Sequence, residues 1–96
     1  MKIFINSPTQ KKNLMEKRIG AAIILVENRD NIQLLNTILS NHSAIILGRQ
    51  GIPVREKNIS IISLVLEGTT DELSSLTGQL GKVNGITVKS VLAKQT

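Results

Sequence analysis

Residues Arg18–Glu27 read RIGAAIILVE and are apolar at almost every position. Successive side chains of a β-strand point to opposite faces. Ile19, Ala21, Ile23 and Leu25 therefore share one face, and Ala22, Ile24 and Val26 share the other. Both faces are apolar. Ile59–Glu67 repeats the pattern, with Ile62, Leu64 and Leu66 alternating with Ile61 and Val65. An antiparallel strand with one face in water shows polar residues there. Neither stretch does, so each is expected at the centre of a sheet covered on both sides.

Working outward, Glu27-Asn28-Arg29-Asp30 interrupts the first strand. Asn28 or Asp30 is placed to cap a following helix, because a short side-chain oxygen accepts from first-turn amides. Ile32, Leu35, Ile38 and Leu39 then fall at helical spacing, and Ser40-Asn41-His42-Ser43 ends the run. Ala44–Leu47 begins a second strand. Gly48–Asn58 links it to the third, and Gly51 and Pro53 suggest an extended hairpin with a shaped loop rather than a two-residue turn. In the second helix Thr69 and Glu72 have capping-box spacing, Thr70 is a simpler cap, and Leu73, Leu76, Leu80 and Val83 form the apolar stripe. Gly78 and Gly81 each cost about 1 kcal/mol relative to Ala in a helix, which suggests close packing or an early helix end. Asn84-Gly85 is a turn, and Ile86–Leu92 is the last strand.

The order is β-α-β-β-α-β. Its default arrangement is an α+β, ferredoxin-like, four-stranded antiparallel sheet with two helices on one face and the first and third strands in the middle. Two helices cover one face only. The second apolar face is then expected to meet another copy of the chain, giving a homo-oligomer.

The composition limits the chemistry. The 96 residues suffice for one domain, and residues 15–96 are expected to form it, with 1–14 as an N-terminal extension. There is no cysteine, which excludes disulfides, zinc ribbons, iron–sulfur ligation and thiol catalysis. One Phe with no Trp or Tyr argues against base-stacking surfaces. The net charge is +5 and the pI about 10.0, but Lys2, Lys11 and Lys12 precede Met15 without an acid, and the remainder carries +2. The basicity thus belongs largely to the arm Met1–Leu14, which reads equally as a leader, an expression-derived tail or an ordered strand. Its apolar run, Ile3-Phe4-Ile5, is too short for a signal-peptide core, and no run approaches membrane-spanning length. The expected location is the cytoplasm.

No catalytic residue, metal site or cofactor is expected. His42, the single histidine, suits a helix C-terminus. Glu27, Asp30, Asp71 and Glu72 lie near helix starts, where capping and the helix dipole account for carboxylates. Gly48-Arg49-Gln50-Gly51 lacks the third glycine and following helix of a dinucleotide-binding loop. The candidate ligand-binding or interface residues are Arg49, Gly51, Pro53, Arg55 and Lys57. Cations beside a glycine and a stiffening proline suit either an anion or subunit contact or an ordinary solvated hairpin. Arg49 is singled out because it follows a strand end.

Several segments also carry a family resemblance: Glu16-Lys17-Arg18-Ile19-Gly20, Gly48-Arg49-Gln50-Gly51-Ile52-Pro53-Val54-Arg55-Glu56-Lys57, Ile59-Ser60-Ile61-Ile62-Ser63-Leu64, Gly68-Thr69-Thr70-Asp71-Glu72, Leu76-Thr77-Gly78-Gln79-Leu80-Gly81-Lys82 and Val88-Lys89-Ser90. From Met15 onward the chain resembles a small bacterial family of iron-only hydrogenase system regulators. The resemblance implies an ACT-like ferredoxin fold akin to the C-terminal half of nickel-responsive repressors, and dimers or tetramers formed through the sheets. It also implies a non-enzymatic transcriptional regulator that binds a small ligand or a regulatory protein. The repressors' His/Cys metal set is missing, and the 14 residues before Met15 are too few for a ribbon-helix-helix domain. Direct DNA binding through the basic arm is the alternative reading.

Overall fold

The computed structural model describes residues 16–93; the extension 1–14 lies outside them. Strand β1 is Arg18–Val26, helix α1 Ile32–Asn41, strand β2 Ile46–Val54, strand β3 Ile59–Gly68, helix α2 Thr70–Gly81 and strand β4 Ile86–Leu92. Short 3-10 turns, Ser43–Ile45 and Arg55–Lys57, precede and follow β2. The four strands form one antiparallel sheet in the order β2-β3-β1-β4. This is the α+β ferredoxin-like arrangement that the element order predicts, with β1 and β3 central.

The register of β1 and β3 sorts their side chains. Ile24 pairs with Ile62, Ala22 with Leu64 and Gly20 with Leu66. These positions face the helices, and the core closes there around Leu35, Ile38 and Leu39 of α1 and Leu73, Leu76 and Leu80 of α2. Burying each such side chain contributes about 1.5–3 kcal/mol. No polar or charged residue is buried among the described residues, so this core is held by aliphatic packing.

Helix α2 starts where its residues dictate. The Glu72 N–H donates to Thr69 Oγ1 at 3.2 Å, and the Thr69 N–H donates to Glu72 Oε1 at 2.8 Å. This reciprocal capping box satisfies two donors that the first turn leaves open. Thr69, not Thr70, is the cap. Helix α1 differs from expectation: its N-cap is Asn31, without a side-chain capping bond. Asn28 instead accepts the Asp30 N–H at 2.7 Å, turning the chain just before the helix.

Two further expectations need correction. Gly48–Val54 is strand, not loop, and only Arg55–Lys57 with Asn58 makes the turn. Almost every residue of β2 is exposed, so no apolar alternation marks it. Pro53 is tolerated because an edge strand leaves one side without hydrogen-bonding partners. Gly78 is also not a close-packing residue, since a Cβ built there meets nothing within 4 Å. Gly81 is likewise open and closes the helix.

Two predictions follow from this packing. Ile24→Asp and Leu64→Asp each place an unpaired carboxylate among buried aliphatics, and each is expected to cost about 3–5 kcal/mol. Wild-type urea midpoints for both would contradict the strand order. Gly78→Ala is expected to stabilise the fold by roughly 0.5–1 kcal/mol, read as a higher urea midpoint at unchanged slope.

Candidate functional site: the β2–β3 hairpin, its neighbouring cleft and the open sheet face

The five candidate residues divide into two groups. Arg49, Gly51 and Pro53 lie in β2 opposite Leu64, Ile62 and Ser60. They are alternate residues of one strand and share the helix-side face at the exposed sheet edge. Arg55 and Lys57 lie in the 3-10 turn. Asn58 follows in the left-handed region at φ 55°, where Asn is among the residues that tolerate it, and its N–H donates to Arg55 O at 3.1 Å. The structure therefore does not gather all five residues at one point.

It gathers two of them with a residue that the sequence reading passed over. Pro53 and Arg55 line an open cleft of about 180 Å³ with Arg29, Asn58, Ser60 and Val26. Arg29 belongs to the loop between β1 and α1. That loop is pinned from behind: Glu27 N–H donates to Gly85 O at 2.8 Å, and Asn31 Nδ2 donates to Asn84 O at 3.1 Å. Gly85 has φ 84°, and a Cβ there would sit 3.0 Å from the Asn28 Cβ. Only glycine makes this close approach without strain. The Arg29 and Arg55 side chains form no hydrogen bond or ion pair with other described residues. A proximity that depends on tertiary structure leaves no local motif, so nothing around Arg29 in the sequence signals it.

A second depression, of about 300 Å³, separates the end of α1 from the start of α2 and is lined by His42, Asp71, Glu72, Ser75, Asn41 and Ile45. The histidine here is a bridge between helices. Its Nδ1 lies 2.8 Å from Ile38 O, which accepts, so that nitrogen carries the proton. Its Nε2 lies 3.2 Å from Ser75 Oγ, whose hydroxyl then donates. Gln79 Nε2 donates to the same oxygen at 3.1 Å. No group of three or more His, Asp or Glu is disposed to hold a metal ion among the described residues.

The third feature is the sheet face away from the helices. In register across β4, β1, β3 and β2 lie the rows Val91-Ala21-Val65-Gly48, Lys89-Ile23-Ser63-Gln50 and Thr87-Leu25-Ile61-Ile52. Ile23 is 46%, Val65 48%, Ile52 48% and Val91 68% exposed, whereas Ile24 and Leu64 on the opposite face are 0% and 1%. Ile19 extends the patch at one end. The second apolar face read from the sequence is present and open to solvent in the single chain.

Comparison with known proteins places this architecture. Residues 18–90 match the TM1266-like family, described as "Iron-only hydrogenase system regulator, putative". That match spans more than half of the chain. The chain belongs to this family. The solved structure of the uncharacterized protein TM1266 from Thermotoga maritima has 44% sequence identity and a TM-score of 0.79, covering 82% of this chain and 100% of that one. A second structure, an unknown protein from Galdieria sulphuraria, has 13% identity and a TM-score of 0.56, covering 84% of this chain and 48% of that one; it shows the shared fold alone. No protein of curated function matches the chain. The family match includes both walls of the cleft, strands β1 to β3 and β4 as far as Ser90, and no described helix is long and apolar enough to cross a membrane.

The capping box has a pH consequence. Its hydrogen bond from the Thr69 backbone holds the Glu72 carboxyl below the ordinary carboxylate range. A folded-state pKa below the unfolded value contributes stability above the unfolded pKa, lost as pH falls through the folded one. Glu72→Gln keeps an acceptor but loses the charge. It is expected to melt below wild type at neutral pH, with the gap closing as the medium is acidified through and below the carboxylate range. A gap independent of pH would show that the charge on Glu72 contributes nothing.

Proposed function

We propose that this chain is a non-catalytic regulatory module of an iron-only hydrogenase system, acting on transcription as a homo-oligomer joined through its open sheet face and responding to a small ligand or a protein partner. Membership of a family of regulators supports the class of role. The observation that carries the assembly is the row of exposed aliphatics across β1, β3 and β4. Burying apolar area contributes about 25 cal/mol per Å², and contiguous patches of this kind on sheet faces mark contact surfaces.

A second copy is the occupant that this face fits. Its centre is aliphatic, with Ala21, Gly48 and Ser63 between the larger side chains, so a facing sheet can approach closely. Its charged positions are of both signs: Lys89 in β4, and Glu67, which pairs with Ile19 along β3. A two-fold interface joins one patch to itself, and such a patch accommodates both signs in trans. Packed sheets sit about 10 Å apart, with their side chains interdigitating. The five hairpin residues Arg49, Gly51, Pro53, Arg55 and Lys57 supply the ligand or partner contacts in this reading, with the cleft beside Arg55 as the more enclosed part. The DNA-binding alternative rests on the arm 1–14, outside the described residues, whereas residues 16–93 carry eight Lys or Arg against seven Asp or Glu.

Light scattering tests the assembly. Wild type is expected to be at least a dimer at micromolar concentration. Ile23→Asp and Val65→Asp should give folded monomers with the native far-UV spectrum, while Gln33→Asp on α1 should leave the assembly unchanged. A wild-type monomer overturns the proposal.

A further inference from the structure

We infer that the cleft between the β1–α1 loop and the β2–β3 turn is an anion site for a phosphoryl group, held between the guanidinium groups of Arg29 and Arg55. This deepens the ligand-binding part of the proposed regulatory function and rests on that reading for its purpose, though not for its geometry. The two arginines come from segments 26 positions apart and line one cavity of about 180 Å³. That volume suits a small head group rather than a whole cofactor. Among the described residues neither side chain is paired with an acid: Asp30 and Glu56, their sequence neighbours, do not line the cleft, and no described carboxylate does.

The remaining lining completes a set of donors. The Ser60 hydroxyl and the Asn58 carboxamide also lack partners among the described residues. Planar guanidinium groups donate in pairs to tetrahedral oxyanions, and charged hydrogen bonds of this kind are the stronger ones. A dianion balances two guanidinium charges, whereas a carboxylate balances one. This favours a phosphate ester over a simple carboxylic acid.

Both walls are held in advance. The Arg29 loop is fixed by its hydrogen bonds to the Asn84-Gly85 turn. The Arg55 turn is fixed by Pro53 at one end and by left-handed Asn58 at the other. Such pre-organisation lowers the ordering cost of binding. Ile59 lines the same cleft and, by strand alternation, belongs to the open sheet face with Ile61. An occupied cleft therefore abuts the surface through which copies are proposed to join.

The test uses the full chain and calorimetric titration with inorganic phosphate, a phosphate monoester, a phosphoserine peptide and acetate. Saturable binding of at least one phosphoryl probe, tighter than acetate, is expected. The tighter of the ester and the peptide identifies a metabolite or a modified protein as the source. Arg29→Ala and Arg55→Ala should each weaken binding about tenfold or more, with melting temperatures near wild type, and Lys17→Ala, at the opposite end of β1, should leave it unchanged. Absence of saturable phosphoryl binding overturns the site, and so does equal weakening by Lys17→Ala, which would indicate diffuse surface charge. Failure here with an intact oligomer leaves the assembly proposal standing. A monomeric wild type that binds phosphate removes the assembly and keeps the site.

Discussion

The pairing of β1 with β3 is the interaction on which the other elements depend. The two strands run antiparallel over their whole length, from Arg18 opposite Gly68 to Val26 opposite Ser60. Being central, they receive β4 on one side and β2 on the other. Their helix-side residues form the floor of the core, onto which Leu35 and Leu39 of α1 and Leu76 and Leu80 of α2 close. A one-residue slip would exchange the two faces. Here both are aliphatic, so polarity alone does not hold the register. The fit of Ala22 and Gly20 beneath the helix side of the sheet contributes: a Cβ on Gly20 would lie 3.0 Å from Leu92 Cδ2.

The same pairing sets up both of the proposed sites. Across its width it produces the open aliphatic face, which a single copy of this small domain leaves in water. A domain of fewer than one hundred residues has a modest core, and the proposed association through a second apolar face would add to it. At one end of the pair, where Val26 of β1 pairs with Ser60 of β3, two connecting segments converge, and Arg29 and Arg55 line one cleft. The ferredoxin-like scaffold is shared by many unrelated proteins, so role has to be argued from such sites rather than from the fold.

Much of this was legible in the sequence for identifiable reasons. The double-sided alternation of Ile19–Val26 and Ile61–Leu66 marked the central strands and announced a second apolar face. The stripe Leu73, Leu76, Leu80 and the Thr69–Glu72 spacing located α2 and its cap. The extent of β2 was not legible, because an edge strand exposed on both faces has no reason to alternate, and its Gly48, Gly51 and Pro53 imitate a loop. The cap of α1 is not legible because Asn28, Asp30 and Asn31 are all capping residues; Asn28 accepts the Asp30 N–H, and the Asn31 carboxamide donates to Asn84 O, far along the chain.

The sequence by itself determined the order of elements, the identity of the core residues, the two central strands and the family, since these rest on periodicity and local side-chain chemistry. It also excluded cysteine-based chemistry outright. The tertiary structure alone decided which cations meet. Arg49, Arg55 and Lys57 are neighbours along the chain yet divide between a strand edge and a turn. Arg29, distant in sequence, joins Arg55 because the antiparallel pairing of β1 and β3 places the end of one strand beside the beginning of the other.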